Sequence, residues 1–130
     1  MPFPLSSNEL EKTEKEIGAK LPDSYRNAMM LDNGGSVELQ EDDWELFPIR
    51  NQESRKLISR TANHILRETA LAKEWRGYPD NAIAIGSNGS GDLLVLLKED
   101  SVFNNQVYLW GHEEASLTTV ASDFSELKKA

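Results

Sequence analysis

Leu21-Pro22-Asp23-Ser24-Tyr25-Arg26, followed after six intervening residues by Asn33-Gly34-Gly35, is the stretch from which the fold is read. A proline in the first turn of a helix costs nothing, because the N–H it lacks would have no partner there. Consecutive glycines stop a helix, since glycine enters the left-handed conformation without a steric penalty. The stretch is therefore one short helix with both ends marked, and Tyr25, Ala28, Met29 and Leu31 are placed to face a core.

Working outward toward the N-terminus, Ser7 to Ile17 reads as a first helix. Ser7 is the N-cap, Glu9 and Glu11 suit the positive end of the dipole, and Gly18 is the stop. Toward the C-terminus, Ser36 to Leu39 and Trp44 to Ile49 read as short strands around a polar turn, Gln40-Glu41-Asp42-Asp43. Pro48 ends the second strand or puts it at an edge. Glu53 to about Trp75 is the longest helical pattern, with Leu57, Thr61, Ile65, Leu66, Thr69, Ala72 and Trp75 near one face. Ser59, Thr61, Asn63 and Thr69 make its middle a weak helix former, a place where it can break in two, and Gly77 and Pro79 end it.

The remainder reads as an antiparallel meander. Asn81 to Gly86 is a strand, Ser87 to Gly91 a tight turn, and Asp92 to Lys98 a strand buried on both faces. Glu99 to Gln106 is a connection, Val107 to Trp110 a strand, and Gly111 to Glu114 its exit. Ser122 caps a final helix of Asp123 to Lys129 that docks Phe124 and Leu127, and Trp75 and Trp110 are assigned to the core. The fold class expected is α+β, with residues 1–130 as one domain.

The 130 residues carry a net charge of −8, unevenly spread. Residues 53–76 hold six bases and three acids, so the rest of the chain is strongly acidic. Such a surface repels phosphate backbones, which argues against direct nucleic-acid binding, and attracts a basic partner. There is no cysteine, so disulfides and thiolate metal sites are out of reach. No apolar run is long enough to span a bilayer, and the start of the chain lacks the pattern of a signal peptide. The expected location is the cytoplasm, with no membrane contact.

Chemical signatures are missing where they would be sought. Gly86, Gly89 and Gly91 open a strand rather than a helix, and no lysine follows before Lys98, so they make a turn and not a phosphate cradle. His112-Glu113 has Ser116 where a zinc helix needs its second histidine. His64 is the only other histidine, and no serine stands in a nucleophile signature. The expectation is no catalytic residue, no metal and no cofactor.

The order of these motifs resembles that of the SMI1/KNR4 (SUKH) superfamily. The resemblance is carried by Glu9-Leu10-Glu11-Lys12 with Ile17-Gly18, by Leu21-Pro22-Asp23-Ser24-Tyr25-Arg26, and by Asn33-Gly34-Gly35. It continues through Ile83-Ala84-Ile85-Gly86, Gly89-x-Gly91-Asp92 and Val107-Tyr108-Leu109-Trp110. It implies a central antiparallel sheet with packed helices and no catalytic constellation. Bacterial relatives commonly serve as immunity proteins against polymorphic toxins, often nucleases, while fungal relatives are binding proteins. The expected function is therefore stoichiometric inhibition of a cognate, basic toxin domain, with a general protein-interaction or scaffold module as the alternative.

The superfamily hands on no partner-binding positions, so charge supplies the candidates. Glu41, Asp42, Asp43, Trp44 and Glu45 form the first group, and Glu99, Asp100, Glu113 and Glu114 the second. Trp44 fits two readings, an anchor among carboxylates or a core residue sharing a strand face with Leu46. Asp92 fits a hairpin cap or a ligand contact.

Overall fold

The computed structural model describes residues 3–129. Helix α1 spans Ser7–Ile17. Its N-cap is Ser6, one residue before the serine expected, and the Ser6 hydroxyl accepts the Glu9 N–H at 3.4 Å. Gly18 closes the helix by donating its N–H to the Glu14 carbonyl at 2.8 Å. Helix α2 spans Asp23–Leu31, with Pro22 at the cap position. Its Tyr25 and Met29 are fully buried, and Tyr25 meets Phe124 edge-on at 5.1 Å, a contact worth about 1 kcal/mol beyond the area it buries. Leu31, expected to face the core, is 74% exposed.

Asn33 is a clamp as well as a turn residue. Its side-chain oxygen accepts the Ile49 N–H at 2.8 Å and its amide donates to the Ile49 carbonyl at 2.7 Å, both in the interior. Strand β1 (Ser36–Leu39) and strand β2 (Asp42–Leu46) follow. The second strand ends at Leu46 and not at Ile49: Phe47 still donates its N–H to the Ile85 carbonyl at 2.9 Å, but Pro48 has no N–H to give and its carbonyl accepts the Ile65 N–H.

The long helical pattern is two helices, α3 (Arg55–Arg60) and α4 (Ile65–Ala72). At the break, the Thr61 hydroxyl donates to the Leu57 carbonyl at 2.8 Å and accepts the Asn51 N–H at 3.0 Å, so a side chain competes for groups the helix would use. His64 then caps α4, its Nδ1 accepting the Arg67 N–H at 3.2 Å. Trp75 falls beyond the helix and is 47% exposed, which corrects its assignment to the core.

Strands β3 (Ala82–Ser87), β4 (Leu93–Glu99) and β6 (Val107–Gly111) match the meander expected. Two strands appear where none was assigned: β5 (Val102–Phe103) inside the expected connection, and β7 (Ser116–Ala121). The expected C-terminal helix is a single 3-10 turn, Phe124–Glu126, capped by Asp123 rather than Ser122. Strand β8 (Lys128–Lys129) follows and pairs with β1.

The curled antiparallel sheet runs β7-β6-β4-β3-β2-β1-β8, with β5 beside β4. β4 sends Leu94 and Leu96 into the main core with Tyr25, Met29, Val37 and Trp44. It sends Val95 to the opposite face, into a smaller cluster with Ala72, Tyr78, Ala82 and Trp110. Where β2 leaves β3, Thr69 of α4 accepts the free Ala84 N–H at 2.9 Å. β2 and β3 can pair only because residue 86 is glycine: a Cβ there would stand 2.8 Å from the Glu45 carbonyl oxygen. Among the described residues no helix is long and apolar enough to cross a membrane.

Candidate protein-binding surface

The β1–β2 hairpin closes with Leu39 opposite Asp42, leaving a two-residue turn, Gln40-Glu41. Both residues have positive φ (53° and 68°), the requirement of a type I′ turn, whose backbone twist matches that of the strands it joins. Asp42 and Asp43 are thus strand residues, not turn residues as expected. Side-chain alternation then places Trp44 and Leu46 inward, each 2% exposed, and Asp43 and Glu45 outward. Of the two readings of Trp44, the structure shows packing: it is not an exposed anchor.

Sheet register decides which acids meet. Glu45 pairs with Ser87 at the end of β3, so Asp42 and Asp43 project beyond β3 toward the Asn88–Gly91 turn. Asp43, Glu45, Ser87 and Asn88 line a hollow of about 390 Å³ on that side of the turn. Leu93 pairs with Trp110, and Gly111 with Ser116, so the loop of residues 112–115 lies at the same end of the sheet. A second hollow, about 250 Å³, is lined there by Asp92, His112, Glu113, Glu114 and Ser116. Adjacent strands are about 4.8 Å apart, so the two hairpins flank the β3–β4 turn across about 14 Å.

Asp92 contributes to that loop's geometry. Its carboxylate lies 3.3 Å from His112 Nδ1, and the His112 ring packs edge-on against Trp75 at 5.0 Å. Gly91 has φ +93°, which glycine adopts without strain, and a Cβ on it would stand 2.7 Å from the His112 ring and force that ring to move. None of these interactions was visible in the sequence. Only the glycine spacing hinted at a tight approach.

Glu99 and Asp100 lie elsewhere. Glu99 pairs with Val102 across the β4–β5 turn, at the far end of a seven-residue strand. At about 3.3 Å per residue, that is about 20 Å from the Asp92 end. The structure therefore brings Glu41, Asp42, Asp43 and Glu45 to one end of the sheet with Glu113 and Glu114, all exposed, and leaves Glu99 and Asp100 at the other.

The acidic end comprises the stretches 36–46, 87–93 and 111–116, which together hold eight acids and no base. Bases border this end: Lys128 is paired with Glu38, Arg76 stands beside the Gly77 that packs on Ala115, and Arg60 shares a hollow with Glu45. The basic α3 approaches the other end of the hairpin, where Arg60 lines a hollow with Gly34, Gly35, Leu46 and Glu45. Lys56 and Arg60 stack on the Phe3 ring, 5.2 and 4.6 Å from its centre. Among the described residues, no group of three or more His, Asp or Glu side chains is placed to hold a metal ion.

Fold and charge together define an α+β protein built on one antiparallel sheet, with an acid-lined end and a basic helix that meets it at Glu45. The chain belongs to the SMI1 / KNR4 family (SUKH-1), whose pattern it matches over residues 4–129. That family includes immunity proteins, and its domains are typically binding or immunity proteins rather than enzymes. A search of curated proteins returned no match.

Proposed function

We propose that this protein is a cytoplasmic immunity protein that binds and neutralises a cognate toxin, most consistent in charge with a nuclease. The observation that carries the reading is the end of the sheet where six exposed acids, Glu41, Asp42, Asp43, Glu45, Glu113 and Glu114, gather at the two hairpins that flank the β3–β4 turn. A nuclease must be basic where it holds phosphates, and clustered carboxylates compete for the same groups. The outward Asp43 and Glu45, the tip residues Glu41 and Asp42, and Glu113 and Glu114 are the proposed contacts. Trp44 acts from beneath, by holding the strand that presents them.

The test uses the toxin-like domain encoded by the reading frame immediately upstream. Nanomolar binding, about −12 kcal/mol, with loss of that domain's toxicity, is the expected result. The variant Glu41→Gln/Asp42→Asn/Asp43→Asn/Glu45→Gln should remain folded and lose most of the protection. No binding by the wild type would remove the immunity reading. Full protection by the variant at physiological salt would remove the hairpin from the interface.

A further inference from the structure

The two edges of the sheet are built differently. β8 is two lysines long, the short and charged form that natural proteins use to discourage further pairing. β7 is six residues, Ser-Leu-Thr-Thr-Val-Ala, with no charge and no proline. Ser116 to Thr119 are exposed and in regular register with β6, and the irregularity comes only at Val120. An edge strand turns every other N–H and C=O outward, and among the described residues no other segment hydrogen-bonds β7 on its outer side.

We propose that β7 is a docking edge, and that it takes an extended strand from a basic partner protein by main-chain pairing along Ser116–Thr119. This goes beyond the immunity reading and holds whatever the partner does. Pairing of this kind draws affinity from the backbone and specificity from alternate side chains. Leu117 lies opposite Trp110, on the face where Trp75 packs against Trp110 at 6.3 Å. Leu117 and Trp75 are 40% and 47% exposed, so an apolar side chain of the added strand has a surface to cover.

Charge selects the occupant. Glu113 and Glu114 precede β7, and Asp123 and Glu126 follow it. Hydrogen bonds from Ser125 and Ser122 hold the last two below the usual carboxylate range, so they stay ionised. A second copy of this chain, added in either direction, would set carboxylates against carboxylates at both ends of the strand. A strand with lysine or arginine at its ends sets opposite charges there instead.

The test is amide hydrogen exchange on the full chain with two synthetic octapeptides. Both have a Val-Thr-Val-Thr centre; one carries Lys-Lys at each end and the other Glu-Glu. The basic peptide at millimolar concentration should slow exchange within residues 116–119 at least fivefold, and the acidic peptide should not. Thr118→Pro should abolish the slowing. Thr118→Lys, which keeps the strand and adds a repelling charge, should reduce it while leaving β4 exchange unchanged. Absence of slowing, equal slowing by both peptides, or protection located elsewhere would overturn the proposal. A concentration-dependent dimer that Thr118→Lys dissociates would overturn the choice of occupant in favour of a second copy.

Discussion

Gln40 and Glu41 hold the hairpin turn at positive φ, although neither has the short polar side chain that tolerates it. A glycine at position 41 would relax the turn and remove a carboxylate from the tip of the acidic end. Strain at an exposed charged tip fits the recognition role proposed for it. Replacing the pair with Asn-Gly should therefore stabilise the fold by about 1 kcal/mol, raising the melting temperature by about 4 °C. The same change should slow association with a basic partner. An unchanged or lower melting temperature would show that the turn is not strained. At this scale much was legible in the sequence: the alternation Asp43-Trp44-Glu45-Leu46 already offered the inward reading of Trp44. The clamp of Asn33 on Ile49 was not legible, because it joins residues sixteen apart across a loop that no periodicity describes.

Among the elements, the α3–α4 break shows how local chemistry overrides a helical pattern. The weak middle was visible, but the Thr61 back-bond and the His64 cap that fix the break depend on Asn51 and on backbone geometry. The cap also makes α4 sensitive to pH. Burial and the nearby Arg50 and Arg67 lower the His64 pKa, with Glu16 opposing, and the cap itself uses the neutral Nδ1 lone pair. As pH falls below the unfolded value of 6.5, the unfolded chain takes up the proton first. Stability is then lost until the folded pKa is passed, and is flat in this respect above that window. His64→Ala should cost about 1 kcal/mol at pH 7.5, the usual value of an N-cap. His64→Asn should keep the cap and flatten the urea midpoint between about pH 5 and 6.5, above the range where carboxylates titrate. A midpoint that still falls across that window in the asparagine variant would place the proton elsewhere. The unassigned strand β7 had no pattern to read, since its first four residues are exposed on both faces. The end of the chain misled for a related reason: Phe124 and Leu127 sit at helical spacing, but only one 3-10 turn forms before β8 joins β1.

For the whole molecule, charge is the property the sequence shows and the fold rearranges. The acid excess outside residues 53–76 could be counted, but its division between two ends of the sheet could not. That division follows from the non-local pairings of β2 with β3 and β4 with β6, which no local pattern specifies. It gives a controlled test of how a partner is steered. The Debye length is about 30 Å at 0.01 M salt and about 10 Å at 0.1 M, so long-range attraction by a surface of net charge −8 fades across that range. The association rate with a basic partner domain should fall about tenfold or more as salt rises, with dissociation nearly unchanged. Glu113→Gln/Glu114→Gln and Glu99→Gln/Asp100→Asn each remove two charges, leaving the net charge identical. If the acidic end is where the partner lands, the first pair should slow association several-fold at low salt and flatten its salt dependence, and the second should do so weakly. Equal effects would mean that total charge steers the encounter, and the assignment of the interface to that end of the sheet would fall.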